Sequence, residues 1–209
     1  MPDSKDEIAS DLYVRERCQI GPEKSIVLHA GNMGKKQDLI NVVECAKLAE
    51  IEGAPVHFVL LGDGVERNVI EAASAGVRTL TIVDPVADDE FADYLCAANV
   101  FLVNERPGLG ETAVPSKLTT YFRSGRPVVC ASDADSPAAE ELRASSGGLC
   151  VPPGEPASLL NAIVELVDDT SVANELAENG RKYSAAVLEK EACLEKLIKI
   201  VHPNCDVVA

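Results

Sequence analysis

Six short runs of β-branched and apolar residues recur along the chain: SIVLHA (25–30), VHFVLL (56–61), TLTIV (79–83), NVFLV (99–103), PVVCA (127–131) and GLCV (148–151). Each reads as a strand buried on both sides. Between them, residues 39–52, 66–76, 88–99 and 115–125 space their apolar side chains three and four apart, and two of these stretches stop at Gly76 and Gly125. Strand and amphipathic helix in alternation leave few solutions. The expected fold is α/β, a doubly wound, mostly parallel six-stranded Rossmann-like sheet flanked by helices. From Glu155 to about Val201 the pattern is helical and asks for no second core. The expected organisation is one domain over residues 25–201, a linker or frayed segment over 1–24 and a tail over 202–209.

A chain of 209 residues that is 46% hydrophobic can bury such a core. No apolar run approaches the roughly 18–20 residues of a membrane span, and the first residues lack the apolar centre of a signal peptide, so a cytoplasmic protein is expected. With 34 acidic and 19 basic residues the net charge is -15, which argues against nucleic acid or an anionic membrane as partner for the whole chain. A local cationic pocket is still allowed. The cysteines (Cys18, Cys45, Cys96, Cys130, Cys150, Cys193, Cys205) form no CxxC pair and no zinc spacing with histidine, and are expected as buried, reduced thiols. His29, His57 and His202 share no motif and read as core or surface residues.

In an open parallel sheet, ligands bind beyond the carboxyl ends of the strands, so the residues after each run are the informative ones. After the first comes GNMGKKQ (31–37). Gly31 and Gly34 permit a tight turn and close approach to a ligand, and Lys35 and Lys36 stand at the expected start of the next helix, where free N–H groups favour anions. This is not a P-loop, which has four residues between its glycines and Ser or Thr after the lysine. It reads as a phosphate site or as a plain strand-to-helix turn with solvated lysines. GDGVER (62–67) has Arg67 where a dinucleotide fingerprint needs its third glycine. Asp63 is expected to cap the following helix, with shaping of the crevice floor as the other reading. Asp88, Asp89 and Glu90 read as the opening of a helix rather than a metal site.

The long segment NERPGLGETAVPSK (104–117) presents Gly108 and Gly110 for backbone contacts and Glu111 and Thr112 for hydroxyls. Lys117 falls in the first turn of the next helix, against the helix dipole. That conflict is worth about 0.3–1 kcal/mol and an anion would relieve it, the other reading being a solvated lysine on an exposed face. Arg123 and Arg126 lie at the far end of that helix, where cations suit the dipole and need no ligand.

Taken in order, GNMGKKQ, GDG, DPVADDEF, NERPGLGETAVPSKLTTYFRSGRPVV and GGLCVPPGEPASLLNAI resemble the donor-binding C-terminal half of a GT-B glycosyltransferase of the retaining family 4 (group 1). Within it they are most similar to polysaccharide-biosynthesis members related to the colanic acid enzymes. The resemblance spans residues 25–201, and PSKLTTYFRSGRPVV (115–129) is its most specific part. It implies a nucleotide-diphosphate sugar, UDP- or GDP-linked, at the strand ends, hexosyl transfer to a glycan or lipid-linked acceptor, and no metal or other cofactor. Gly31, Asn32, Lys35 or Lys36 and Lys117 correspond to the diphosphate contacts, and Gly110, Glu111 and Thr112 to the loop that holds the donor sugar. Val83 to Val86 correspond to contacts with the base, and Ser116 and Thr120 complete the donor-binding set. Lys36, Lys117 and Glu111 are thereby the candidate catalytic residues.

The chain departs from the family at two kinds of position. Members commonly carry two glutamates eight apart, which fall here at Thr112 and Thr120. A hydroxyl at Thr120 holds a ribose less strongly than the carboxylate it replaces. Asn32 stands where many members have arginine, leaving Lys36 and Lys117 to supply charge. A complete GT-B enzyme places its active site between two such domains and the resemblance covers only the second. The expectation is therefore no turnover without the N-terminal acceptor domain, and an exposed apolar patch on the helix near residues 187–201. A homodimer through that helix is one way to cover it, and in the full-length enzyme a peripheral place at the inner membrane is another expectation. Two other functions fit a half-cleft. A sugar-nucleotide epimerase half would need acid/base groups, for which Glu111 is the one candidate, and a non-catalytic nucleotide-binding module would need none.

Overall fold

A computed structural model of the chain describes residues 4–108 and 116–189. Every expected run is a strand: β1 Ser25–Ala30, β2 Val56–Leu61, β3 Leu80–Val83, β4 Val100–Asn104, β5 Val128–Ala131 and β6 Gly148–Val151. They pair in parallel in one sheet of order β3-β2-β1-β4-β5-β6. The winding reverses between β1 and β4, and a crevice opens where the strand ends diverge at such a switch point. The helices are α1 Ser4–Cys18, α2 Leu39–Glu52, α3 Arg67–Ala73, α4 Asp88–Ala97, α5 Lys117–Arg123, α6 Pro137–Ser145, α7 Pro156–Asp168 and α8 Thr170–Tyr183, followed by a π-helical turn at Ser184–Leu188.

Side chains alternate along each strand, and both faces of the inner strands are buried, while the edge strands β3 and β6 are partly covered. Val27 and Leu102 join Val42 of α2, Ile70 of α3 and Ile163 of α7 on one side. Ile26, Leu28 and Phe101 join Tyr94 of α4, Leu118 of α5 and Leu142 of α6 on the other. This is why the runs carry almost no polar residues. Asp88, Asp89 and Glu90 do open α4, as their charge predicts. Helix α6 begins with a capping bond, Ala139 N–H donating to Ser136 Oγ at 3.1 Å, and with Pro137 at its first position.

The N-terminal segment corrects the expectation of a frayed end. Residues 4–18 form α1, which lies on α4 and buries Val14 and Cys18. Ser10 Oγ donates to Asp93 Oδ1 at 2.6 Å, Tyr13 OH to Glu90 Oε1 at 2.9 Å, and Arg17 pairs with Glu90 at 3.1 Å. Burying Val14 contributes about 1.5–3 kcal/mol toward docking a helix whose charge-rich sequence shows little amphipathic pattern. A second correction concerns Cys150, which is exposed on the edge strand β6 rather than buried.

Candidate functional site

The loops after β1 and β2 are pressed together backbone to backbone. Gly31 N–H donates to Leu61 O at 2.9 Å and Gly62 N–H to Val83 O at 3.0 Å, which extends the ladder past the strand ends. Gly62 has φ 141°, and a Cβ there would run into the carbonyl oxygen of Gly31. Only glycine fits, because both the backbone angle and the space exclude a side chain. Met33 N–H donates to Asp63 O at 2.8 Å and Glu66 N–H to Met33 O at 2.9 Å, locking the two loops further. Asp63 does not cap α3 as expected. Its carboxylate accepts from Gly64 N–H at 2.7 Å, and α3 begins without a side-chain cap.

Asn104, buried at the end of β4, ties the first loop to the other half of the sheet. Its Nδ2 donates to Gln37 O at 2.8 Å and Asp38 O at 3.1 Å, and its Oδ1 accepts from Asn41 Nδ2 at 2.8 Å. The loop then turns through Asp38 at φ 41° before α2 starts at Leu39. Lys35 and Lys36 therefore sit in an exposed turn ahead of the helix and not, as expected, in its first turn.

Helix α5 forms the facing wall. Tyr121 is fully buried, its ring stacked on Phe101 with centroids 4.2 Å apart and planes 3° from parallel. Its hydroxyl accepts from Ala30 N–H at 2.9 Å, fixing the helix against the end of β1. Ser116, Lys117 and Thr120 thereby face Ala30, Gly31, Asn32 and Gln37 across a cavity of about 400 Å³. Among the described residues Lys117 makes no ion pair, and its Nζ lies 3.4 Å from Nε2 of the fully buried His29. A lysine ammonium can only donate, so Nε2 accepts and the ring proton is assigned to Nδ1. Burial, and then the Lys117 charge, hold His29 well below the usual imidazole range, so the ring is neutral; carbonyl groups at Leu102 and Asn32 oppose the shift. Burial also lowers Lys117 to about 8, with Glu105 and Cys130 pulling the other way. Glu105, half-buried just past β4, is itself pushed up mainly by burial, with Ser136 and Lys117 opposing.

The crevice thus holds one ammonium, mostly charged at neutral pH, whose nearest side-chain partner is neutral. That charge is available to an anion, and the amides of Asn32 and Gln37 and the hydroxyls of Ser116 and Thr120 can meet an anion's oxygens or neighbouring hydroxyls. Val83 and Val86 lie outside this cavity. The Val83 carbonyl accepts from Gly62, and Val86 packs partly buried on the second core layer. Lys35 and Lys36 do not line the cavity, although Lys36 O accepts from Arg106 N–H at 2.8 Å and so joins the loop to the segment after β4. Gly110, Glu111 and Thr112 lie outside the described residues.

Sequence reasoning passed over His29, Gln37, Asn104 and Tyr121. The available signal was a polar residue at the carboxyl end of an otherwise apolar strand, which holds for His29 and Asn104 but not for Tyr121.

A larger cavity of about 600 Å³ lies at the far end of α5, lined in part by Arg123, Arg126 and Arg181. Two of its cations are engaged within the protein. Arg126 donates from Nε to Ala98 O at 3.0 Å and from Nη2 to Cys96 O and Glu7 Oε1, both at 3.4 Å, and Arg181 pairs with Glu178 at 2.8 Å. The structural reading of Arg126 is the one these bonds support. No group of three or more His, Cys, Asp or Glu among the described residues is placed to hold a metal ion, and no described helix is long and apolar enough to cross a membrane.

Residues 24–169 match the family described as glycosyl transferases group 1. The Escherichia coli protein WcaI, assigned by name to glycosyl transfer in colanic acid biosynthesis, is 27% identical over 191 residues, which are 88% of this chain and 45% of WcaI. Among solved structures, Anabaena HepE in complex with UDP superposes with a TM-score of 0.77 at 15% identity, over 96% of this chain and 53% of HepE. The C-terminal domain of a group 1 glycosyl transferase, LpcC of Francisella tularensis, superposes with a TM-score of 0.66 at 12% identity, over 86% of this chain and 93% of that domain. The chain spans about half the length of WcaI and of HepE.

Proposed function

The chain belongs to the group 1 glycosyl transferases, and from that premise we propose that its crevice binds the diphosphate of a nucleotide-sugar donor, UDP- or GDP-linked, as the donor half of a GT-B enzyme. The carrying observation is Lys117, an ammonium without an ion pair among the described residues, held against a neutral imidazole in the cavity between Gly31 and Thr120. HepE, of the same fold, is described in complexes with UDP and with UDP-glucose, which supports this class of ligand.

In this reading the diphosphate leaves as the bond to the sugar breaks, and Lys117 stabilises the charge it gains. His29 accepts one Lys117 N–H and leaves two to point at the phosphate oxygens. Lys36, from the loop tied down by Asn104, adds a second, more solvated cation. Thr120 Oγ reaches the ribose side, where it donates or accepts a neutral hydrogen bond. Positive charge on the diphosphate comes from side chains here, so binding is expected to withstand chelators. The hexosyl group passes to a glycan or lipid-linked acceptor held by an N-terminal domain of the kind the full-length relatives possess, and residues 1–209 alone are expected to bind donor without transferring it. In the complete enzyme we place the site on the cytoplasmic side of the membrane.

The test is thermal denaturation with UDP, GDP, ADP and their sugars. Ligand at 100 times its dissociation constant adds about 2.7 kcal/mol of stability. A rise in the midpoint with a uridine or guanosine diphosphate, abolished in Lys117→Ala and unchanged by EDTA, is the expected result. No rise with any nucleotide would sink the reading.

A further inference from the structure

Cys130 on β5 and Cys150 on β6 are direct partners in the parallel ladder. Their chain neighbours Val129, Ala131, Leu149 and Val151 all belong to the opposite core layer, so both sulfurs project from the same face of the sheet. Facing residues on adjacent strands stand about 4.8 Å apart, inside the roughly 4.4–6.8 Å Cα separation that a disulfide spans. Ser132 lies against both sulfurs. Its Oγ accepts from Cys130 Sγ at 3.3 Å and is 3.8 Å from Cys150 Sγ. The two thiols differ in access, Cys130 being fully buried and Cys150 exposed on the edge strand.

We propose that Cys130 and Cys150 are a redox-active dithiol, which a hydroperoxide closes into a disulfide joining β5 to β6. Cys150 is the attacking sulfur. The neighbouring Cys130 thiol, then Ser132 and the Arg143 charge, lower it to about 6 against its partial burial. At Cys45 burial has no such opposition and pushes the thiol up to about 12. The Cys150 thiolate attacks the outer peroxide oxygen and the O–O bond breaks, giving a sulfenic acid at Cys150, while the departing alkoxide (hydroxide, from hydrogen peroxide) takes up the proton that the Cys150 thiol had released and leaves as an alcohol or water. Cys130 sulfur then attacks Cys150 sulfur. The S–O bond breaks and hydroxide leaves with the Cys130 proton as water. In total, two thiols and one hydroperoxide give one disulfide, one alcohol and one water, and a small dithiol returns the disulfide to two thiols by exchange, becoming a disulfide itself.

The arrangement assigns distinct roles, an accessible first sulfur and a sheltered resolving one, which a chance pair of thiols lacks. The pair also adjoins the crevice. Cys130 acts electrostatically on Lys117, and Glu105 acts on both cysteines. The inference does not depend on which nucleotide, if any, the crevice takes.

The test is peptide mapping under non-reducing conditions after the full chain is treated with hydrogen peroxide and its remaining thiols are blocked. A cross-linked Cys130–Cys150 peptide that dithiothreitol removes is expected. Cys130→Ser should hold Cys150 as a sulfenic acid that dimedone traps, and Cys150→Ser should leave Cys130 unmodified. Before oxidation, iodoacetamide at pH 7 should label Cys150 roughly tenfold or more faster than Cys45, in line with their thiolate fractions. The proposal is overturned if wild-type Cys150 proceeds to sulfinic acid while Cys130 stays free, or if either pairs instead with Cys193 or Cys205. The wild-type map decides the matter even if the Cys130→Ser protein fails to fold.

Discussion

Helix α5 has a cation at each end, and the two ends could hardly be used more differently. Lys117 opens the helix, where the dipole opposes it, half-buried beside a neutral histidine and, among the described residues, in no ion pair. Arg126 follows the other end, where the dipole suits it, and its guanidinium is divided among two carbonyls and Glu7. Both lie beside cavities, and the one at the arginine end is larger, at about 600 Å³ against 400 Å³. Cavity size is therefore a poor guide here. What separates Lys117 from Arg126 is whether the charge is already satisfied, and of the two the lysine leaves an interaction for a ligand to complete.

Paired substitutions should pull that contrast apart. Lys117→Met is expected to weaken nucleotide diphosphate binding by roughly 30-fold to 100-fold, the loss of a charged hydrogen-bonding partner worth about 2–3 kcal/mol. The same change should raise the denaturation midpoint at pH 6–7, because it removes a charge that burial disfavours. Titration calorimetry and thermal melts read the two effects separately. Arg126→Met should do the reverse, lowering stability by about 1–2 kcal/mol through carbonyls left without their donor, with nucleotide affinity unchanged. If both variants lose affinity alike, the distinction between the ends collapses.

The pH dependence sharpens the same point. Lys117 is lowered to about 8 from an ordinary value of 10.5, so it binds its proton less well in the folded chain than in the unfolded one. The resulting destabilisation is fully present below about pH 8, and stability contributed by this group rises as pH climbs from there toward 10.5. Donor binding should move the other way, the dissociation constant rising up to about tenfold per pH unit above 8 in wild type and staying flat in Lys117→Met. The smallest expected effect is at Thr120. Restoring a carboxylate with Thr120→Glu should tighten nucleoside binding by about 1 kcal/mol relative to the neutral hydroxyl, with no gain for inorganic pyrophosphate.

Much of the scaffold could be read from residue order because its signals are local. Continuous apolar runs mark strands buried on both faces, and Asp88 to Glu90 mark a helix start. Lys117 was legible for a similar reason, since its conflict with the helix dipole is visible without tertiary structure. His29 and Tyr121 were not. Their roles come from meeting Lys117, 88 residues away, and Ala30, 91 residues away, and no spacing rule reaches that far. Helix α1 was missed because the stripe it buries is short and mixed, Ser10, Val14 and Cys18, and its remaining hold on α4 comes from polar bonds to Asp93 and Glu90. Lys36 shows the converse, a lysine in the expected loop that a left-handed turn at Asp38 keeps ahead of the helix.

The bond between the Tyr121 hydroxyl and Ala30 N–H has a consequence for time rather than for equilibrium. It joins residues 91 apart in the chain, so the wall of the crevice closes only after both halves of the sheet have met. A ligand that needs that wall grips the finished protein and finds little to hold on the way there. Nucleotide should therefore slow unfolding in proportion to the stability it adds while leaving the refolding rate almost unchanged, a split that stopped-flow chevrons with and without UDP would display. Occupancy would act as a brake on opening, and the empty chain would be the form that unfolds and turns over fastest.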